Sequence, residues 1–163
     1  MILQGHVIMT VNLPEIGNDS PGLWNHGAVV SPRYTVIEAQ EEPGCVIEVE
    51  LNHFLKRYPE YIVYCPMINK TLDVSQAVAF WADKTIGAKY IRYDSYFNWF
   101  NGFNCVSLID YAYRNAIGQK RKFKWRKPDD VVAFGHNHWQ FVTRVNQSQT
   151  WVKPLSWFEG RIR

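Results

Sequence analysis

What this sequence has little of narrows its class first. Its 163 residues include three cysteines, Cys45, Cys65 and Cys105, an odd number that cannot all pair within one chain. No C-x-x-C spacing occurs that would suit zinc or a dithiol redox centre, so the pattern argues against a disulfide scaffold. No run approaches the roughly 18 apolar residues of a membrane span. The opening MILQGHVIMTVN lacks a basic n-region, a long apolar core and a small-residue cleavage site. The chain is therefore expected to be soluble, unprocessed and cytoplasmic. Repeats, low-complexity tracts and composition shifts that would mark a linker are also missing, so residues 1–163 read as one domain. A net charge of +3 permits an anionic partner without demanding one.

What is present is ample apolar material, 47% of the chain, with an aromatic share of 15% that includes seven tryptophans spread along its length. That is enough to build a core. The segment GHVIMTV reads as a strand, and NLPEIGNDSPGLWN after it as a long surface loop. HGAVVS and YTVIEAQ then flank SPR as a hairpin, EEPG turns the chain into the strand CVIEVE, and YIVYC is a further strand. LNHFLKRY carries Leu51, Phe54 and Leu55 on one face and stops at Pro59, which predicts a short helix. The second half is more helical. Asp73 to Ile86 has Val74, Ala77, Val78 and Trp81 at helical spacing, PDDVVAF is a short helix opened by Pro128, and WQFVTRV is a late strand. The expected class is α+β, with an antiparallel, partly barrel-like sheet against helices.

The segment FNCVSLIDYAYRNAIG carries the most chemical information. Leu108, Ile109, Ala112 and Ala116 follow Cys105 at helical spacing, with Asp110 and Arg114 directed elsewhere, while Asn104 suits an N-cap and Gly118 a terminator. Cys105 thus falls in the first turn, where unpaired backbone N–H groups and the positive end of the helix dipole favour a thiolate. The same donors can hold an oxyanion. A small apolar residue buried in the core is the alternative use of a cysteine at this position.

A cysteine nucleophile needs a base, and the base needs a group that fixes its tautomer. Of the five histidines, His6 lies in the first strand, His53 on a charged helix face, and His136 and His138 on a turn after the short helix. His26 instead begins a strand beside the long loop, a rigid place for a base. If the SPR connection has an odd number of residues, positions summing to 64 pair and His26 lies opposite Glu38; with a two-residue loop Glu38 turns to the other face. A solvated Glu38 is the alternative, and Gln40, one step further on the same face, is the fallback orienter. The pair His136 and His138 could ligate zinc, yet no third ligand accompanies it at suitable spacing.

With His26, Glu38 and Cys105 in this order, the chain resembles the permuted papain-like amidases, the circularly permuted branch of the NlpC-type cysteine peptidase superfamily. HGAVV, YTVIEAQ and GCVIEVELNHFLKRY resemble that family's histidine strand, glutamate strand, and following strand and helix; GAKYIRYDSYF resembles its Gly-x-x-Tyr lead-in and NCVSLIDYAYRNAIG its cysteine helix. The resemblance spans residues 5 to about 142. It implies Cys105 as nucleophile, His26 as base, Glu38 as orienter, and Tyr90 as a residue that helps hold the oxyanion or the substrate, with no metal or organic cofactor. Val106 and Ser107 depart from the family's polar-acidic pair after the cysteine, and His6 stands where an acidic residue is common.

The resemblance implies acyl transfer on a small amide or peptide, with bacterial cell-wall peptide as the leading case and a lipid ester or acyl-transfer substrate next. Trp24, Tyr34, Tyr93, Tyr96 and Trp99 are candidates for a groove wall. A rival of another class is a binding module built on KRKFKWRK: Lys120, Arg121, Lys122, Lys124, Arg126 and Lys127 with Phe123 and Trp125 between them would suit an anionic polymer. A solvated loop accounts for the same charges.

Overall fold

A computed structural model describes residues 1–11, 23–92 and 102–146. Tyr93, Tyr96 and Trp99 lie outside the described residues, as do residues 12–22 of the loop expected after the first strand; its last residues Trp24 and Asn25 are instead in a strand that starts two residues before His26. The order is β1 (Val7–Val11), β2 (Trp24–Val30), β3 (Val36–Gln40), β4 (Cys45–Val49), α1 (Leu51–Arg57), β5 (Tyr61–Cys65), β6 (Met67–Ile68), β7 (Leu72–Asp73), α2 (Ser75–Asp83), α3 (Cys105–Ala116), α4 (Pro128–His138) and β8 (Gln140–Val145). Among the described residues the main sheet has six strands in the order β4-β3-β2-β1-β5-β8, paired antiparallel throughout, and β6 and β7 form a separate ribbon. The fold is a single-domain α+β arrangement. The sheet is open, with β4 and β8 as its edges, and does not close toward the barrel-like shape expected from the sequence.

Strand alternation sorts the core onto two faces. Val7, Met9, Val29, Ile37 and Ala39 pack with residues of α2, α3 and α4, whereas Ile8, Ala28, Val30 and Val36 pack with Phe54 and Tyr58 of the α1 region. Both faces of β2 are therefore buried, which explains its nearly continuous run of apolar and small residues. The larger, three-helix face carries Leu108, Ile109, Ala112 and Tyr113 of α3.

Several expectations shift by a residue or a turn. The second-half helix runs only from Ser75 to Asp83, because Asp73 is taken by the β6–β7 ribbon and its Oδ1 accepts from Ser75 N at 2.7 Å. Asn69 and Lys70, both left-handed (φ 51° and 58°), make the ribbon's turn. His136 and His138 stand in the last turn of α4 and not on a loop. Asp110 and Arg114, directed away from the apolar stripe in the sequence, are both 5% exposed and paired at 3.4 Å, and Asp110 accepts from Phe123 N at 2.8 Å. This buried pair anchors the chain after α3.

Candidate active site

Helix α3 begins where its sequence predicts. Asn104 Oδ1 accepts from Ser107 N at 2.9 Å and Ser107 Oγ from Asn104 N at 2.9 Å, a reciprocal capping box worth about 1 kcal/mol. Ser107, which departs from the polar-acidic pair that the resemblance implies, thus has a local structural task. The cap engages the Ser107 N–H and leaves the N–H groups of Cys105 and Val106, at the two preceding positions, outside it. Gly27 of β2 sets how closely the helix approaches the sheet: a Cβ there would meet Ile109 Cδ1 and Met9 Sδ at 2.8 Å. Ile109 is one turn beyond Cys105, so the close approach at Gly27 brings the first turn of α3 beside His26.

The connection between β2 and β3 spans residues 31–35, tied by Ser31 N to Thr35 O at 2.9 Å and by Tyr34 in a left-handed conformation (φ 61°). Pairing is Val29↔Ile37 and Val30↔Val36, so positions sum to 66 rather than 64. The five-residue connection is odd, as the shared face of His26 and Glu38 requires, but it is longer than SPR and places Glu38 diagonally across from His26. Among the described residues the β2–β3 ladder stops at Val29↔Ile37. His26, Glu38 and the start of α3 come together beyond that last pair.

There His26 Nε2 lies 2.8 Å from Glu38 Oε2, and the imidazole also hydrogen-bonds the Cys105 thiol. With Nε2 engaged by Glu38, Nδ1 is the ring nitrogen left for sulfur. His26 is 5% exposed and Glu38 fully buried. An unaccompanied carboxylate in such a place costs several kcal/mol. Glu38 has three donors, His26, Gln40 Nε2 at 2.6 Å and Arg57 Nη2, and hydrogen bonds to a charged group contribute about 1.5–3 kcal/mol each, enough to offset that cost. Burial disfavours the carboxylate, but these partners prevail and hold Glu38 below the ordinary carboxylate range. Burial likewise opposes the imidazolium, and the contacts with Cys105 and Glu38 reverse it, raising His26 well above 6.5. The ring sits against Tyr58 (centroids 5.3 Å apart) and Phe54 (6.3 Å), which exclude water from that side.

Gln40, expected only as a substitute for Glu38, acts beside it. Arg57 escaped the sequence reading altogether: it looks like one of the charges closing a short helix, and its partner is nineteen positions away in β3. Tyr90 is half-buried, bridges Phe103 in parallel register and packs at the core margin with Phe103 and Cys105.

The other candidates fall elsewhere. His53 is exposed on α1. His136 packs edge-on to Tyr64 and His138 against Phe134, and among the described residues no three His, Cys, Asp or Glu side chains cluster as metal ligands. Phe123 and Trp125 are stacked on each other (4.6 Å, 11°) and packed on Tyr113 and Phe134. They belong to an aromatic core cluster and not to a platform for bases. Of the surrounding cations, Lys120, Arg121, Lys124, Arg126 and Lys127 are exposed and Lys122 is half-buried. No helix among the described residues is long and apolar enough to cross a membrane. Comparison with protein-family models, curated proteins and solved structures gives no match.

Proposed function

We propose that this protein is a thiol-dependent hydrolase of amides, with a small amide or peptide such as a cell-wall stem peptide as substrate, working through Cys105, His26 and Glu38 in a permuted papain-like order. One observation carries the reading: a single buried imidazole is bonded on one side to a thiol at a helix start and on the other to a buried carboxylate. Thiol, imidazole and carboxylate in that sequence are what an acyl-transfer nucleophile needs.

In the proposed cycle the thiol proton resides on His26, and Cys105 Sγ forms a bond to the substrate carbonyl carbon. The N–H of Cys105 faces the developing oxyanion at the helix start, with Tyr90 at the same margin. Collapse breaks the carbon–nitrogen bond as His26 delivers its proton to the departing amine. Water then adds to the thioester with its proton passing to His26, and release of the carboxylic acid restores the thiolate–imidazolium pair. Glu38 keeps the ring oriented and stays ionised throughout.

The test is trapping of the acyl-enzyme. Incubation with p-nitrophenyl acetate should give a burst of p-nitrophenol and one acetyl group on the Cys105 peptide by mass spectrometry. Cys105→Ala, with unchanged circular dichroism, should abolish both. Acetylation at another residue, or a burst that survives the substitution, would remove the mechanism.

A further inference from the structure

Glu38 presents two oxygens to two different sets of partners. Oε2 faces His26 and Gln40, and Oε1 faces Arg57 at the end of α1. The Arg57 guanidinium is fixed in place by more than that contact, lying over the Tyr58 ring at 4.8 Å and the Phe54 ring at 5.7 Å. These are the same two rings that pack on the imidazole. Its buried Nε has no hydrogen-bond partner among the described residues, so the carboxylate and the rings define where the charge sits.

We infer that Arg57 is a positioning residue of the site: its cation, half-buried at the end of α1, balances the fully buried Glu38, so that Cys105 and His26 can exist together as thiolate and imidazolium in an electroneutral set of four charges. The inference rests on the hydrolase reading above. The arithmetic is short. Thiolate and carboxylate supply two negative charges, imidazolium and guanidinium two positive ones. Without Arg57 the same protonation state carries a net negative charge around the buried Glu38 carboxylate, and one of the remaining groups takes up a proton at higher pH to relieve it. The groups involved are His26 from β2, Glu38 and the neutral Gln40 from β3, Arg57 and Tyr58 from the α1 region, and Cys105 from α3.

The experiment measures the rate of iodoacetamide alkylation of Cys105 in the full chain, mapped by mass spectrometry, from about pH 4 to about pH 9. The wild-type acid limb is the reference against which the variants are read. R57M and R57Q should move that limb up by about one pH unit, giving labelling about tenfold slower near pH 6 and nearly unchanged near pH 9. R57K, which restores a charge to a contact made through one nitrogen, should recover most of the shift. A merely structural role would change rates without moving the limb. A limb in R57M or R57Q that coincides with wild type overturns the inference, as does an R57K limb displaced as far as theirs. If neither neutral variant keeps the native circular dichroism, a folded R57K with a limb near wild type supports the charge requirement, and an unfolded or fully displaced R57K opposes it. A wild-type Cys105 without any low-pH reactivity would instead sink the hydrolase reading itself.

Discussion

The molecule holds two clusters of a thiol, an imidazole and a carboxylate, at opposite ends of β1, and they are wired in different orders. Near the far end of β1, opposite Thr10, the order is thiol, imidazole, carboxylate: Cys105 to His26 to Glu38. At the near end, beside Val7, Asp73 acts electrostatically on both the Cys65 thiol and the His6 imidazole, so the carboxylate is the group the other two share. Burial, and then Asp73, push the Cys65 thiol up to about 11, while burial holds His6 below its ordinary value against the pull of Asp73. A carboxylate touching sulfur repels the thiolate; the same group placed behind an imidazole stabilises the cation that accompanies one. Composition alone does not make a reactive triad. The order of contacts does.

The largest expected difference is in the two thiols themselves. With its pKa near 11, Cys65 is thiolate in only about one molecule in ten thousand at pH 7. Iodoacetamide at that pH should therefore label Cys105 at least about a thousandfold faster than Cys65, read from the two peptides of one digest. Comparable rates would erase the contrast. Heating until the fold opens should bring the two together.

Exchanging the imidazoles comes next. His26→Ala should slow labelling of Cys105 near pH 6.5 by roughly ten- to a hundredfold, because the thiol loses the imidazole that takes up its proton; a free cysteine ionises at about 8.5. The loss should shrink as the pH rises past that value, since an unassisted thiol then ionises by itself. His6→Ala, four residues along β1 and hence about 13 Å from the level of His26, should leave the Cys105 rate within about twofold. A Cys105 rate indifferent to His26 would show that the imidazole is not its partner.

The Cys105–His26–Glu38 cluster was legible in part because its signals are local. The cap at Asn104 and the apolar stripe from Leu108 to Ala112 can each be read from a few neighbouring residues, whereas the parity of the β2–β3 connection stays open in the sequence between an odd and a two-residue loop. The register itself was not legible, since the bend at Tyr34 adopts a left-handed conformation without a glycine to announce it. Arg57 and Gly27 were invisible for another reason. Their meaning comes from partners in other elements, Glu38 across the sheet and Ile109 across the layer, and no spacing encodes either. Phe123 and Trp125 show the converse error: charged neighbours make the stretch look exposed, while alternation turns both rings onto the core. Whether the sheet closes toward the expected barrel-like shape depends on what its edge strands meet and so lies beyond strand patterning.

The smallest effect is the most direct test of the wiring. Asp73→Asn keeps the shape of the side chain near Cys65 and an acceptor for Ser75 N, but removes the charge that opposes the thiolate. Burial, the larger cause, stays in place, so the Cys65 thiol should fall only part of the way from about 11 toward its ordinary 9.0. Labelling of Cys65 near pH 9 should rise by up to about tenfold, the response to a shift of one unit or less, while Cys105 should not change. The sign matters more than the size. Removing a carboxylate from Cys65 should quicken that thiol, whereas Glu38→Gln, which removes one from behind His26, should slow Cys105 near pH 6. Two substitutions of the same kind with opposite effects on two thiols can arise only if the contact order differs between the clusters; changes in the same direction would show that a common cause, such as general loosening of the fold, governs both.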